Sequence, residues 1–415
     1  MTRHKSRHVS RHPGRHPGRL RGATAATALL LALPLSLAAA APAPAAPVAA
    51  AAGTTGAAAT ADTPSAVHLA LPRPTGPHAV GQEVLHLVDR NRPDPWVPAA
   101  GPRQLMVTMY YPAHAGTGSP APYMTAAAAR LLLDGKVPGN TVPTATVTGT
   151  RTWSRTDARP QGGHYPLVVL SPGFTMPRAS LSSLAEDLGS RGYVVALVDH
   201  TYENTGTTFP DGQTLPCTVC DRLKTPEDWK GLDESRAKDV SFVIDQLTGR
   251  PHPAWRYARM IDRDRIGMAG HSAGGAASVP ALVTDDRIRA GVDLDGSMDY
   301  EVPASGIGGK PYLMIGHPLP GGDEDTSWTD SWPRLDGWKR WLTFDGTDHG
   351  SFTDYPLFLQ ALGVPQDPGT TISGSRAVEL TRRYVAAFFD LQLKGIDQPL
   401  LDGPTAADPE VRFHA

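Results

Sequence analysis

The pentapeptide Gly270-His271-Ser272-Ala273-Gly274 constrains this chain more than any other stretch. The short apolar run Ile266-Gly267-Met268-Ala269 leads into it and the small residues Gly275-Ala276-Ala277-Ser278-Val279 lead out, the order of a strand, a sharp turn and a helix. On such a G-x-S-x-G turn the serine is pushed out where a substrate can reach it. The glycines two places to either side are needed because a side chain there would collide with the neighbouring strand and helix. Gly/Ala-rich chains produce such pentapeptides by chance, so the flanking order carries the reading. Ser272 is the candidate nucleophile.

The rest of the chain supplies a sheet for that turn to sit on. Val84–Asp89 and Gln104–Pro112 read as two strands split by a Pro-rich turn, an antiparallel opening. Between Pro112 and Gly163 comes an insertion with one expected helix, Thr125–Leu133. The unbroken apolar runs Tyr165–Leu170 and Tyr193–Val198 suit central parallel strands covered on both faces. One helix places Leu181, Leu184, Ala185 and Leu188 on a face and is closed by Gly192; another, Leu232–Leu247, carries Val240, Val243, Ile244 and Leu247 in a stripe. Beyond Ser272 the strands Ile288–Leu294, Tyr312–Gly316 and Trp338–Phe344 follow, the last of them ending the sheet, and then a helix over Ser375–Lys394 stopped by Gly395. Strands alternating with helices through right-handed crossovers predict one α/β domain over residues 81–415. Its sheet is doubly wound and mostly parallel, with antiparallel N-terminal strands.

The formal net charge of −2 hides an asymmetry. Seven Lys and Arg and no acid lie in the first 22 residues, so the remainder carries about nine more acidic than basic residues. A mildly acidic body argues against nucleic acid as a partner, because its backbone is bound by clustered Lys and Arg. The basic start, the apolar stretch Ala23–Ala41 and the small residues Ala38-Ala39-Ala40 have the three-part layout of a signal peptide over residues 1–41. The alternative, a membrane anchor, needs about 20 apolar residues, and Pro34 breaks this run. Without an adjacent arginine pair, general export is favoured over the twin-arginine route, which makes the mature chain secreted and free of a transmembrane anchor. Residues 42–80, rich in Ala, Pro, Thr and Gly, read as a disordered linker. Cys217 and Cys220 form a C-x-x-C. A redox or zinc site would need a thioredoxin-like setting or a second ligand pair, and neither is visible. In an exported protein a local disulfide pinning a loop is expected.

A serine hydroxyl becomes a nucleophile when a histidine takes its proton and a carboxylate fixes that histidine's tautomer; two backbone N–H groups must meet the developing oxyanion. His349, in the glycine-bearing loop directly after the Trp338–Phe344 strand, lies at the carboxyl edge beside Ser272 and is the candidate base. Ala273 offers one N–H. Phe174, in Ser171-Pro172-Gly173-Phe174, offers the other, with the glycine letting the backbone approach. Two places qualify for the carboxylate: Asp295, and the cluster Asp323, Glu324, Asp325 after the next strand, the more usual position. Asp293 would sit within its strand, away from the edge. Asp295 is chosen because it stands immediately after a short apolar strand, whereas Pro318, Pro320, Gly321 and Gly322 make the later loop long, and a preorganised partner is worth more than a flexible one.

Together, Ser171-Pro172-Gly173-Phe174, Gly270-His271-Ser272-Ala273-Gly274-Gly275, Leu294-Asp295-Gly296 and His349-Gly350-Ser351-Phe352-Thr353-Asp354 resemble the plasma-type platelet-activating factor acetylhydrolases and their bacterial lipase and esterase relatives. The resemblance covers roughly Gly81–Lys394 and takes in Asp89-Arg90-Asn91-Arg92-Pro93. It implies an α/β-hydrolase that cleaves lipid or short-acyl esters through an acyl-enzyme, without metal or other cofactor. Ser272 is then the nucleophile, Asp295 the acid, His349 the base, and Phe174 and Ala273 the oxyanion donors. Pro172 departs from the pattern, since mammalian members carry a histidine there; the donor N–H is unaffected. A peptidase or acyltransferase could use the same groups. A catalytically silent binding module would be expected to have lost Ser272, Asp295 or His349, and all three are present.

Overall fold

The computed structural model describes residues 69–137, 139–249 and 251–414. The leader expected over residues 1–41, and the linker as far as residue 68, lie outside them. An antiparallel pair, β1 (Ala79–Pro93) and β2 (Pro102–Ala113), is followed by the insertion, which contains β3 (Ser119–Pro120), α1 (Ala126–Lys136), α2 (Thr144–Thr148) and β4 (Ser154–Thr156). Next come β5 (Tyr165–Ser171), α3 (Ser182–Ser190) and β6 (Val194–His200). A two-stranded ribbon, β7 (Thr207–Thr208) and β8 (Thr214–Leu215), precedes α4 (Pro226–Thr248). The chain continues through β9 (Ile261–His271), α5 (Ala273–Ala276), α6 (Ser278–Thr284), β10 (Ile288–Leu294), β11 (Tyr312–Gly316), α7 (Thr326–Ser331) and β12 (Lys339–Phe344). It finishes with α8 (Tyr355–Leu362), α9 (Gly374–Lys394) and β13 (Val411–Phe413).

Eleven strands form one sheet in the order β13-β12-β11-β10-β9-β5-β6-β2-β1-β4-β3. The run from β12 to β6 is parallel, and β2 joins β6 antiparallel, as does β1 to β2. This is the doubly wound, mostly parallel sheet that the apolar runs predict. Because successive strand residues face opposite sides, β5 feeds two cores at once. Leu167 and Val169 pack with Val240, Val243 and Ile244 of α4 and Leu282 of α6. Val168 and Leu170 pack with Leu184 and Leu188 of α3 and Leu380 and Phe388 of α9.

The chain moves from β5 to β6 in one direction and returns to β9 on the other side of β5. At such a reversal the loops leaving the carboxyl ends of the two adjacent strands diverge and open a crevice. Those two loops begin with Pro172 and Ser272.

Several boundaries differ from the sequence reading: β1 is longer at both ends than Val84–Asp89, and the insertion holds two helices where one was expected. Residues 69–80 belong to the fold, not to a linker: Leu69 and Leu71 are buried, the Leu71 N–H donates to the Arg151 carbonyl at 2.9 Å, and the Thr75 and Gly76 N–H groups bond Asp187 and Ser190 of α3. Helix α4 starts six residues before Leu232, because Thr225 and Asp228 cap each other's backbone and Pro226 occupies the first turn. The β12 strand does not end the sheet; β13 pairs with it antiparallel.

The glycines of the Ser272 turn are sterically required. A Cβ on Gly270 would lie 2.2 Å from the Gly274 backbone, and one on Gly274 would lie 2.0 Å from the Ser171 carbonyl oxygen. Gly231, on an exposed face of α4, would meet nothing within 4 Å. Gly270→Ala is therefore expected to lose ~1–3 kcal/mol or more in urea unfolding, while Gly231→Ala gains ~0.5–1 kcal/mol. Equal stability of the two variants would refute the packing argument.

Candidate active site

Ser272 holds φ 54° and ψ −128°, a conformation non-glycine residues rarely adopt. It is locked from both sides. Its N–H donates to the Leu294 carbonyl at 2.8 Å, and its carbonyl accepts from the Gly275 and Ala276 N–H groups at 2.8 and 2.9 Å. A Cβ on Gly296 would lie 2.3 Å from that carbonyl oxygen. The side chain is left pointing out of the turn.

His349 opens a 3₁₀ turn, His349–Phe352, soon after β12. Its Nε2 lies 3.0 Å from Ser272 Oγ, and its Nδ1 lies 2.5 Å from Asp295 Oδ2. An ionised carboxylate can only accept, so Nδ1 carries the ring proton and Nε2 presents a lone pair to the hydroxyl. Asp295 sits at the carboxyl end of β10 with φ 62°, its N–H donating to the Ile315 carbonyl at 2.8 Å. Its side chain is 8% exposed while that of His349 is 50% exposed. Burial alone would raise the Asp295 carboxyl, but hydrogen bonds from His317 and His349 hold it well below the usual carboxylate range.

His317 was not anticipated. Its backbone N–H donates to Asp295 Oδ1 at 2.8 Å and its Nδ1 lies 2.7 Å from Oδ2. Burial lowers its pKa, but the Asp295 bond and charge win and raise it overall. The readable signal was a histidine directly after β11, at the same sheet edge as Asp295. The ligand-type atoms of Asp295, His317 and His349 lie within 4.8 Å of one another, so the three could hold a metal ion only by giving up these mutual bonds.

The competing carboxylates are engaged elsewhere. Asp325 caps α7 through the Ser327 N–H at 2.8 Å and accepts from Ser297 Oγ at 2.6 Å, while Glu324 lies 3.5 Å from His414. Among the described residues none of Asp323, Glu324 and Asp325 bonds His349. Asp293 is fully buried, accepts from the Gly296 N–H at 2.9 Å, and is driven well above its usual pKa by burial.

Phe174 and Ala273 flank Ser272 on the two diverging loops. Among the described residues neither N–H donates to a backbone acceptor outside the regular helices and strands. A Cβ on Gly173 would come within 2.7 Å of His271 Nδ1 and 3.3 Å of Ser272 Cβ, which measures how closely the loops approach. The Pro172 carbonyl accepts from Arg236 Nη1 at 2.6 Å, Ser171 Oγ pairs with His200 Nε2 at 2.9 Å, and the Thr175 N–H donates to the Glu203 carbonyl at 2.8 Å. Behind them lies a buried ion network. Arg103 meets Glu203 at 2.9 Å and Asp239 at 2.7 Å, and Arg236 meets Glu203 at 2.8 Å. Arg92, from the sequence opening, also pairs with Asp239.

His271 braces the other loop, its Nε2 donating to the His349 carbonyl at 2.7 Å; burial, with His349 beside it, pushes its pKa down to about 3 and keeps the ring neutral. The far end of the His349 turn is tied down by Asp354, which accepts from the Ser183 N–H at 3.2 Å, the Ser183 hydroxyl and the Tyr123 hydroxyl. An apolar wall stands beside Ala273. Phe174 meets Trp229 edge-on at 5.1 Å, with Val219, Leu223, Leu232 and Trp96 around them. Cys217 packs in the same cluster and is disulfide-bonded to Cys220.

The family model for platelet-activating factor acetylhydrolase, isoform II, matches residues 64–214 and 255–397. A protein of Arthroderma benhamiae, named a probable 1-alkyl-2-acetylglycerophosphocholine esterase, is 30% identical over 376 residues, 83% of this chain and 93% of that protein. The platelet-activating factor acetylhydrolase of Bos taurus is 28% identical over 271 residues, 57% of this chain and 60% of that one. Among solved structures, a ferulic acid esterase from Streptomyces cinnamoneus superposes with a TM-score of 0.75 at 42% identity, covering 84% of this chain and 99% of its own.

Asp354 gives the site a pH signature. Burial raises its pKa to about 7, against the hydrogen bonds from Ser183 and with Glu186 nearby. An unfolded aspartate titrates near ~3.9. Between these values the folded chain holds a proton that the unfolded chain has released, so this group's contribution to stability falls as pH rises through that window and levels off above it. Asp354→Asn removes the titration. Its stability relative to the parent, measured by urea unfolding, should rise from pH 4 to pH 7 and then stay flat; a pH-independent difference would contradict the assignment.

Proposed function

The chain belongs to the family of platelet-activating factor acetylhydrolase, isoform II, and on that premise we propose that it is a secreted serine hydrolase working through Ser272, His349 and Asp295. Carboxylic ester hydrolysis on an α/β-hydrolase fold is what its relatives share. The observation that carries the finer reading is the unbroken relay from Ser272 Oγ to His349 Nε2 at 3.0 Å and from Nδ1 to Asp295 at 2.5 Å.

His349 Nε2 takes the hydroxyl proton as Ser272 Oγ attacks the ester carbonyl. The tetrahedral oxyanion accepts hydrogen bonds from the Phe174 and Ala273 N–H groups, and Asp295 stabilises the imidazolium. Collapse expels the alcohol, which leaves with the proton from Nε2. Water, deprotonated by the same nitrogen, then attacks the acyl-enzyme, releasing the acid and restoring Ser272. Each proton transfer uses a named side chain. His317 would keep Asp295 ionised and aimed while His349 cycles through its charged form.

The wall of Phe174, Trp229, Val219 and Leu223 favours esters with an apolar acyl or alcohol part, lipid or short-acyl. Secretion is supported by the three-part layout of residues 1–41, and the Cys217–Cys220 bond fits an oxidising compartment. No helix among the described residues is long and apolar enough to cross a membrane.

Ser272→Ala should leave the fold and melting unchanged while p-nitrophenyl butyrate cleavage drops to the ~10³–10⁴ over water that the oxyanion site and binding supply. Asp295→Asn should lower kcat by about 10⁴-fold, and Asp325→Asn should cost far less. Activity silenced by Asp325→Asn and spared by Asp295→Asn would move the acid to the loop after β11 and overturn the assignment.

A further inference from the structure

Lys136, the last residue of α1, stands between the two halves of the site. Its ammonium donates to Thr175 Oγ1, and Thr175 directly follows Phe174 with φ 67°. Its carbonyl accepts from the Tyr355 hydroxyl at 3.4 Å, and the Tyr355 ring lies 3.9 Å from where a Cβ on Gly350 would sit, next to His349. The charge of Lys136 is felt at His271, the neighbour of Ser272. The Thr175 bond puts the ammonium beside the loop that presents the Phe174 N–H, and the Tyr355 bond puts the Lys136 backbone near the turn that presents His349.

Among the described residues no carboxylate oxygen lies within 4.0 Å of Lys136 Nζ, although Arg178, also only partly exposed, meets one. Withdrawn charges are ordinarily paired, and burial pulls the Lys136 pKa down. The wall beside Ala273, by contrast, is apolar.

We propose that Lys136 is a specificity-determining residue that recognises an anionic group carried by the ester substrate. The proposal rests on the Ser272 reading above. The preferred substrate has an apolar part against Phe174 and Trp229 and an anionic group that forms a charge-assisted hydrogen bond with the Lys136 ammonium. A purely structural Lys136, holding Thr175 so that Phe174 stays aimed, would affect every ester alike, which separates the two roles.

The test compares matched esters. On the acyl side the pair is p-nitrophenyl hydrogen adipate and p-nitrophenyl hexanoate; on the alcohol side it is 4-carboxyphenyl butyrate and 4-methylphenyl butyrate. The readout is the ratio of kcat/KM, anionic over neutral, within each pair. Lys136→Met and Lys136→Gln should lower that ratio at least tenfold in one pair, identifying the side that carries the anion, and Lys136→Arg should retain most of it. In the unaltered protein, raising NaCl from 0.05 to 0.5 M should erode the same ratio, because a partly exposed ion pair is screened, and this arm needs no variant to fold. A ratio unchanged within twofold in both pairs, whether by substitution or by salt, overturns the proposal. Failure of the unaltered protein to cleave any of the four esters would instead count against the Ser272 reading.

Discussion

The backbone of Ser272 is the constraint on which the site depends. A serine held at φ 54° costs of order 1–3 kcal/mol, and it persists because the Leu294 carbonyl, the start of α5 and the glycines packed against it leave no other path for the chain. The hydrogen bond from the Ser272 N–H to the Leu294 carbonyl ties the serine to the end of β10, so the strand that fixes Ser272 also delivers Asp295 one residue later. Two residues with positive φ, Ser272 after β9 and Asp295 after β10, thus stand at the ends of adjacent strands, and the imidazole of His349 bridges their side chains.

The other half of the site is fixed electrostatically. Pro172 and Thr175, on either side of the Gly173-Phe174 pair, are anchored to Arg236 and Glu203, and those two belong to a dry cluster with Arg103, Asp239 and His200. Burying ions is costly unless each finds partners. Here Asp239 and Glu203 are held ionised against burial by Arg103, Arg236 and Arg92. The anchors hold the backbone on both sides of the Phe174 N–H, and in the proposed mechanism that N–H would meet the developing charge without reorganising. Arg92, through Asp239, contributes to this network from far away in sequence.

What the sequence reveals and what it hides divide along physical lines. The Ser272 turn and the apolar strands are local matters of glycine spacing and strand ends, and they are legible; so is the strand-end position from which Asp295, and none of Asp323, Glu324 and Asp325, contacts His349. His317 is harder to see because its partner lies just past a neighbouring strand, 22 positions earlier, and the one local signal is its place directly after β11. Arg103 and Asp239 are 136 positions apart, so each looks like an ordinary surface charge until the sheet brings them together. The β13 strand is three residues long and exists only because β12 offers it an edge. Leu69 and Leu71 sit in an Ala- and Pro-rich context that hides two core residues.

The central claim, that Ser272 is made nucleophilic by His349, is tested most directly by covalent capture. Incubation of the native protein with a p-nitrophenyl alkylphosphonate, followed by intact mass and peptide mapping, should give one adduct per chain, on Ser272, formed in parallel with loss of esterase activity. An adduct at a different residue, or full esterase activity in protein phosphonylated at Ser272, would contradict it.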